Sequence, residues 1–139
     1  VLPAVEGRVV DADTGEPVAF AEVFEWWHGA GRMGGPQPVL HARWTTADEA
    51  GRFGFDRDFV ASLRLWFLKA YGPSYSFFAP RYGLQHGPVP GEGELVLRAF
   101  LGRAPQAIAD LDPICRGERD DPGARHLAAI ACGPRPQRP

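Results

Sequence analysis

A chain of 139 residues, 45% hydrophobic and 23% charged, is sized for one domain that buries about two-thirds of its unfolded surface. Its net charge of −2 gives no electrostatic reason to expect nucleic acid or an anionic membrane as a partner. No run of about eighteen apolar residues is present, so the sequence offers no transmembrane span.

The first element is a strand. Val5, Gly7 and Val9 alternate with Glu6, Arg8 and Val10, the period of a half-buried strand. Asp11 to Pro17 is turn chemistry. Asp13 and Thr14 can bond their own backbone, Gly15 is expected at positive φ, and Pro17 fixes the entry of the next strand. Val18 to Trp27 reads as that second strand. Ala19, Ala21, Val23, Glu25 and Trp27 fall on one face; Val18, Phe20, Glu22, Phe24 and Trp26 fall on the other.

These residues carry a resemblance. The run Gly7-x-Val9-x-Asp11-x-x-Thr14-Gly15-x-Pro17-Val18-x-x-Ala21-x-Val23 resembles the opening of the carboxypeptidase regulatory-like domain. A second block, Thr46-Ala47-Asp48-Glu49-Ala50-Gly51-Arg52-Phe53-Gly54-Phe55, is similar to that family's turn before an aromatic strand. It holds one more residue between Thr46 and Gly51 than the usual pattern, which implies a bulged turn. The resemblance covers roughly residues 5–100. It implies an all-β fold, a seven-stranded transthyretin-like (prealbumin-like) Greek-key β-sandwich, and a non-catalytic module of a secreted or envelope protein. In the family pattern Ala21 and Val23 face the core, which leaves Phe20, Phe24 and Trp26 outside the sheet. A monomer seldom leaves such a patch bare.

His28 to Pro38 is a Gly/Pro-rich loop. Val39 to Thr46 resumes a strand, and Arg52 to Asp56 forms a short one with Phe53 and Phe55 inward. Ser62 to Tyr71 is apolar on both faces apart from Arg64 and Lys69, the pattern of a central strand. Gly72 to Pro90 reads as a long connection holding Ser76-Phe77-Phe78-Ala79 as an edge strand. Glu94 to Phe100 closes the sandwich with Leu95 and Leu97 inward. The sandwich is thus assigned to 1–102, a helical appendage with the cysteine pair to 103–133, and a Pro-rich tail to 134–139.

Within the appendage Pro105 to Leu111 has helical spacing, with a proline suited to the first turn. Asp121 and Pro122 begin a second helix that runs through Ala131, with Leu127, Ile130 and Ala131 as its apolar stripe. That stripe is the expected cover for the outer aromatics; the alternative is that the aromatics meet another chain. Cys115 and Cys132 are the only cysteines and bracket the second helix. An even count in a chain resembling exported modules suggests a disulfide, against two reduced core cysteines in a cytosolic protein. Closing a loop of about 18 residues would add roughly 3 kcal/mol in the chain-entropy view.

Chemistry-bearing patterns are sparse. His28 and His41 flank the Gly-rich loop, and Asp48 or Glu49 would have to complete a metal site with them; surface histidines are the commoner outcome, and neither cysteine has a CxxC partner. Ala21-x-Val23-x-Glu25-Trp26-Trp27-His28 is also similar to the intradiol ring-cleavage dioxygenases, which bind ferric iron with two tyrosines and two histidines. The expected ligand tyrosine falls among Gly29, Ala30, Gly31, Arg32 and Met33, and no His-x-His follows, so that resemblance implies at most a degenerate dioxygenase-like protein. No serine sits in Gly-x-Ser-x-Gly, and the Gly-rich loop is not a phosphate-binding fingerprint. Tyr71, Tyr75 and Tyr82, with Phe77 and Phe78, are placed to stack on a sugar, to anchor a protein, or to fill a satellite core.

The expectation is therefore a periplasmic or extracellular β-sandwich module, not an enzyme and with no cofactor or metal. It acts in protein–protein contact, through a partner in the cell envelope or self-association; carbohydrate binding through the loop aromatics is the alternative. Its candidate contact residues are Phe20, Phe24, Trp26, Tyr71, Tyr75 and Tyr82.

Overall fold

The structure, a computed structural model, describes residues 4–29, 39–57, 71–87 and 94–132, with the backbone alone at 71–72 and 103–109. Among these residues seven strands form two sheets. One sheet holds β4 (Arg52–Phe55), β1 (Val5–Asp11) and β7 (Leu95–Ala99) in that order; the other holds β3 (Val39–Thr46), β2 (Glu22–His28), β5 (Tyr71–Ala79) and β6 (Gly83–His86). All neighbours are antiparallel except β1 and β7, which run parallel from Gly7 beside Leu95 to Asp11 beside Ala99.

Alternation puts one apolar set between the sheets. Val9, Phe53, Phe55, Leu95, Leu97 and Ala99 from the three-stranded sheet meet Val23, Tyr75, Phe77 and Ala79 from the other. A second core lies outside the four-stranded sheet. There Phe24, Trp26 and Leu84 pack against Leu111 and Ile114 of α1 (Ala104–Cys115) and against Ala124 and Leu127 of α2 (Pro122–Ala131). A 3-10 turn at Leu101–Arg103 leads into α1.

Each helix end has its cause. Gly117, at φ 77°, and Glu118 return their N–H groups to the carbonyls of Ile114 and Pro113, stopping α1. Asp121 caps α2 by accepting from the Ala124 N–H at 3.0 Å, and Pro122 takes the first turn. Gly123 lets the start of α2 lie directly on the Trp26 ring, where a Cβ would collide with the indole. Cys115 and Cys132 are joined by a disulfide across the two helix ends, with Cα atoms 5.5 Å apart. The apolar stripe of α2 is uneven: Leu127 is fully buried, while Ile130 is exposed.

Several expectations need correction. The second strand starts at Glu22 rather than Val18. Phe20 takes a left-handed backbone at φ 60° and is 60% exposed, so it stands off the sheet instead of sharing a face with Phe24 and Trp26. Ser76 to Ala79 belongs to β5, which runs from Tyr71 and lies between β2 and β6, not at an edge. Gly83–His86, read as connection, is the strand at that edge. The proposed central strand 62–71 lies outside the described residues except for Tyr71.

Two turns are fixed by glycine. Gly15, at φ 73°, has open space around a would-be Cβ, whereas Gly51, at φ 74°, would bring one within 2.5 Å of the Val9 carbonyl. Gly15→Ala should therefore cost about 1 kcal/mol from backbone conformation alone, and Gly51→Ala distinctly more. Denaturant midpoints of the two variants check the order; equal midpoints would contradict it.

Candidate functional site

Two carboxylates are drawn into the sandwich, and each is answered by a tyrosine. Glu25 follows Val23 on the inward face of β2 and is fully buried. Its Oε1 accepts from Arg43 Nε at 2.6 Å and Trp27 Nε1 at 3.3 Å; its Oε2 accepts from Tyr75 OH at 2.6 Å and Arg43 Nη2 at 3.3 Å. Arg43 and Tyr75 are the residues that β3 and β5 place opposite Glu25, so the cluster is a property of the strand register. The guanidinium also donates to the Asp56 carbonyl at 2.6 Å and lies 4.8 Å from the Phe55 ring centre. Burial, then the bond to Glu25, pushes the Tyr75 hydroxyl well above the usual phenol range.

The second acid, Asp11, ends β1. Its Oδ2 accepts from Tyr82 OH at 2.7 Å, and its Oδ1 accepts from the N–H groups of Asp13 at 2.8 Å and Thr14 at 3.0 Å. The tyrosine hydroxyl, followed by these N–H groups, lowers the Asp11 carboxyl to about 2. The same bond, with burial, raises the Tyr82 hydroxyl. Glu25 and Asp11 thus spend these acceptor positions on the fold.

The six aromatic candidates are dispersed. Tyr75 and Tyr82 are interior and bonded to the two acids. Phe24 and Trp26 are stacked at 5.3 Å beneath α2, with the indole N–H donating to Ser76 Oγ at 2.6 Å. Phe20 is exposed. The backbone of Tyr71 pairs with His28. Burial of Phe24 and Trp26 comes from Leu127, Ala124 and the ring of His126, which stacks on Trp44 at 4.8 Å and contacts Glu22 at 3.2 Å.

The histidines do not converge either. His28 and His41 lie on paired strands but are offset in register, and Asp48 and Glu49 lie past Thr46 at the opposite end of those strands. Among the described residues no group of three or more metal-ligating side chains comes together. His28 Nε2 lies 3.3 Å from Ser74 Oγ, and its Nδ1 is buried without a hydrogen-bond partner. Burial first, and then the Arg119 guanidinium, lowers this imidazole below its ordinary value, against a smaller pull from Asp121.

Sequence reasoning placed Glu25 on the Ala21–Val23 face without assigning it a role. The signal was available: an acid on an inward face requires a buried cation, and Arg43 on the next strand is the arginine that supplies it.

No protein-family model matches the chain, and no curated protein does. Among solved structures it is similar to a 9R-lipoxygenase from Cyanothece PCC8801, at 17% identity and a TM-score of 0.38, over 71% of this chain and 15% of that one. Similarity at that level carries no argument about fold or activity.

Two outcomes test the acid–tyrosine pairs. Glu25→Gln removes the buried charge that Arg43 pairs with, while Arg43 stays 13% exposed and keeps its bond to the Asp56 carbonyl, and should cost about 3 kcal/mol, against about 2 kcal/mol for Tyr75→Phe; chemical denaturation reads both. Because the folded Asp11 carboxyl sits below its ordinary value of about 4, its contribution is fully present above that pH. It should fade as pH falls from about 4 toward 2. The stability gap between the wild type and Asp11→Asn should close over that window, and a gap constant with pH would contradict the assignment.

Proposed function

We propose that the chain is a transthyretin-like, Greek-key β-sandwich module of the carboxypeptidase regulatory-like kind. It works without catalysis in the cell envelope or outside the cell, in protein–protein contact or assembly. The strand order supports the topology: β1, β4 and β7 form one sheet while the hairpins β2–β3 and β5–β6 lie side by side in the other, so successive described strands change sheet four times.

The observation that carries the functional reading is the saturation of Glu25. An interior carboxylate with both oxygens filled by Arg43, Tyr75 and Trp27 is a structural pin, and chemistry would require one of those positions to be open. The Cys115–Cys132 bond is compatible with an oxidising compartment. Protein contact is preferred to glycan binding because Tyr75 and Tyr82, two rings on which sugar stacking would depend, have their hydroxyls committed to carboxylates within the sandwich.

Photo-crosslinking of the full chain in its native cells tests this. The expected result is one discrete protein adduct or a homodimer in the envelope or secreted fraction, with two thiols appearing in the intact mass only after reduction. A chain recovered alone and monomeric, free thiols in the natively purified protein, or saturable retention on a glycan array would each overturn part of the reading.

A further inference from the structure

His28 ends β2, two residues beyond Trp26, and the connection from α1 to α2 reaches it there. The side chain is half-buried, and its Nδ1 is shut off from solvent without a hydrogen-bond partner. Buried polar atoms are normally bonded, so an orphaned ring nitrogen calls for an explanation. The surroundings offer hydroxyl, apolar and cationic groups. Ser74 Oγ on β5 lies 3.3 Å from Nε2. On β3 the residue opposite is Val39, while His41 stands across from Trp27. Glu25, on β2 itself, is turned into the sandwich and filled by Arg43 and Tyr75. The start of α2 brings Gly123 onto the Trp26 ring, and the connection supplies Arg119 and Asp121.

Among the described residues Asp121 is the carboxylate that acts on this imidazole, and it is already spent. Its Oδ1 accepts from Arg119 Nε at 3.1 Å and Nη2 at 3.0 Å, and its Oδ2 accepts the Ala124 N–H at 3.0 Å. The guanidinium it holds lies 4.9 Å from the centre of the Trp26 ring. A proton on His28 would put a second cation beside Arg119 in a partly buried seam, with no carboxylate oxygen left to receive it. Burial and Arg119 accordingly hold the imidazole below its ordinary 6.5. His126 has the opposite setting. From α2 its Nε2 faces Glu22 Oε2 at 3.2 Å, where a proton would be attracted.

We infer that His28 is the trigger of a pH-sensitive latch: its protonation drives Arg119 off the Trp26 ring and lifts the start of α2 from the sheet. Arg119 is the group that can leave, since 37% of its side chain is exposed. Its departure breaks the fork on Asp121, the cap of α2, just where Gly123 lies on the indole. At the other end of α2 Cys132 is tied to Cys115, and His126 stays on Glu22, so the helix pivots without detaching. Because His28 folds with a depressed value, docking is fully favoured above about 6.5 and loses ground as pH falls below it. The pivot bares apolar aromatic surface. It does not depend on what the module contacts, and holds or fails separately from the protein-contact reading.

The test takes the full, disulfide-bonded chain from about pH 8 to about pH 5, with a hydrophobic dye and tryptophan emission as readouts. Dye fluorescence should rise and the emission shift to the red as pH falls below 6.5, while far-UV circular dichroism keeps the sheet signal. NMR of the wild type should show the His28 imidazole titrating below 6.5 in step with the Trp26 indole N–H resonance. His28→Gln should lose the dye step and His126→Gln should keep it. Arg119→Gln should move the His28 titration toward 6.5 and shrink the step. No step in the wild type, an equal step in His28→Gln, or a step lost in His126→Gln would overturn the inference. So would loss of the sheet signal over the same range, which is unfolding of the whole chain and not a latch. Should His28→Gln fail to fold, the wild-type NMR titration decides, and a His28 titration uncoupled from the Trp26 indole would sink the idea.

Discussion

The Glu25 carboxylate is the interaction around which the sandwich is arranged. A charge without solvent is tolerated only when it is paired and its remaining lone pairs are filled. Here the pairing reaches across three strands of one sheet, through Arg43, Tyr75 and Trp27. It also extends to the other sheet, because the same guanidinium holds the Asp56 carbonyl and lies against Phe55. Asp11 and Tyr82 repeat the arrangement at the far end, joining the close of β1 to the turn between β5 and β6. The apolar core between these pins is indifferent to small slides of one sheet over the other. The polar pins are not, since a slide would strand a charge.

The outer core follows from a different constraint. Phe24, Trp26 and Trp44 give the four-stranded sheet an apolar outer surface that water disfavours, and a helix as short as α2 would be marginal alone. Each completes the other. Gly123 permits the close approach on Trp26, Arg119 lies 4.9 Å from the same indole, and Leu127 seals Phe24. The disulfide then keeps the two helix ends together where the packing thins toward exposed Ile130.

Local chemistry was legible in the sequence where a residue acts on its neighbours, although the side chains that bond the first turn's backbone are Asp11 and Thr14 rather than Asp13 and Thr14. The Asp11–Pro17 turn, the helix begun by Asp121 and Pro122, and the inward faces of β1, β4 and β7 all depend on spacings of a few residues. The readings that failed depend on distant partners. Residues 72–90 read as a connection with 76–79 at an edge, yet Ser76 is buried and its hydroxyl accepts the Trp26 indole N–H. Phe20 looked like part of a regular strand, and only the bond from its N–H to the Asp48 carbonyl marks the corner that turns it away. Tyr75 and Tyr82 read as loop aromatics because their acid partners lie far back in the chain.

The parallel pair of β1 and β7 joins the beginning of the sandwich to its end. A chain emerging from the ribosome can form the β2–β3 hairpin early, but β1 has its partner in β7 only after nearly the whole sandwich has been made. Long-range strand pairing of this kind carries a large loop-closure cost before any contact rewards it, which slows folding and prolongs the exposure of unpaired edges. A protein built this way stays loose during synthesis and gains its three-stranded sheet late. The last strand of that sheet, β7, is therefore added in one of the final steps of folding.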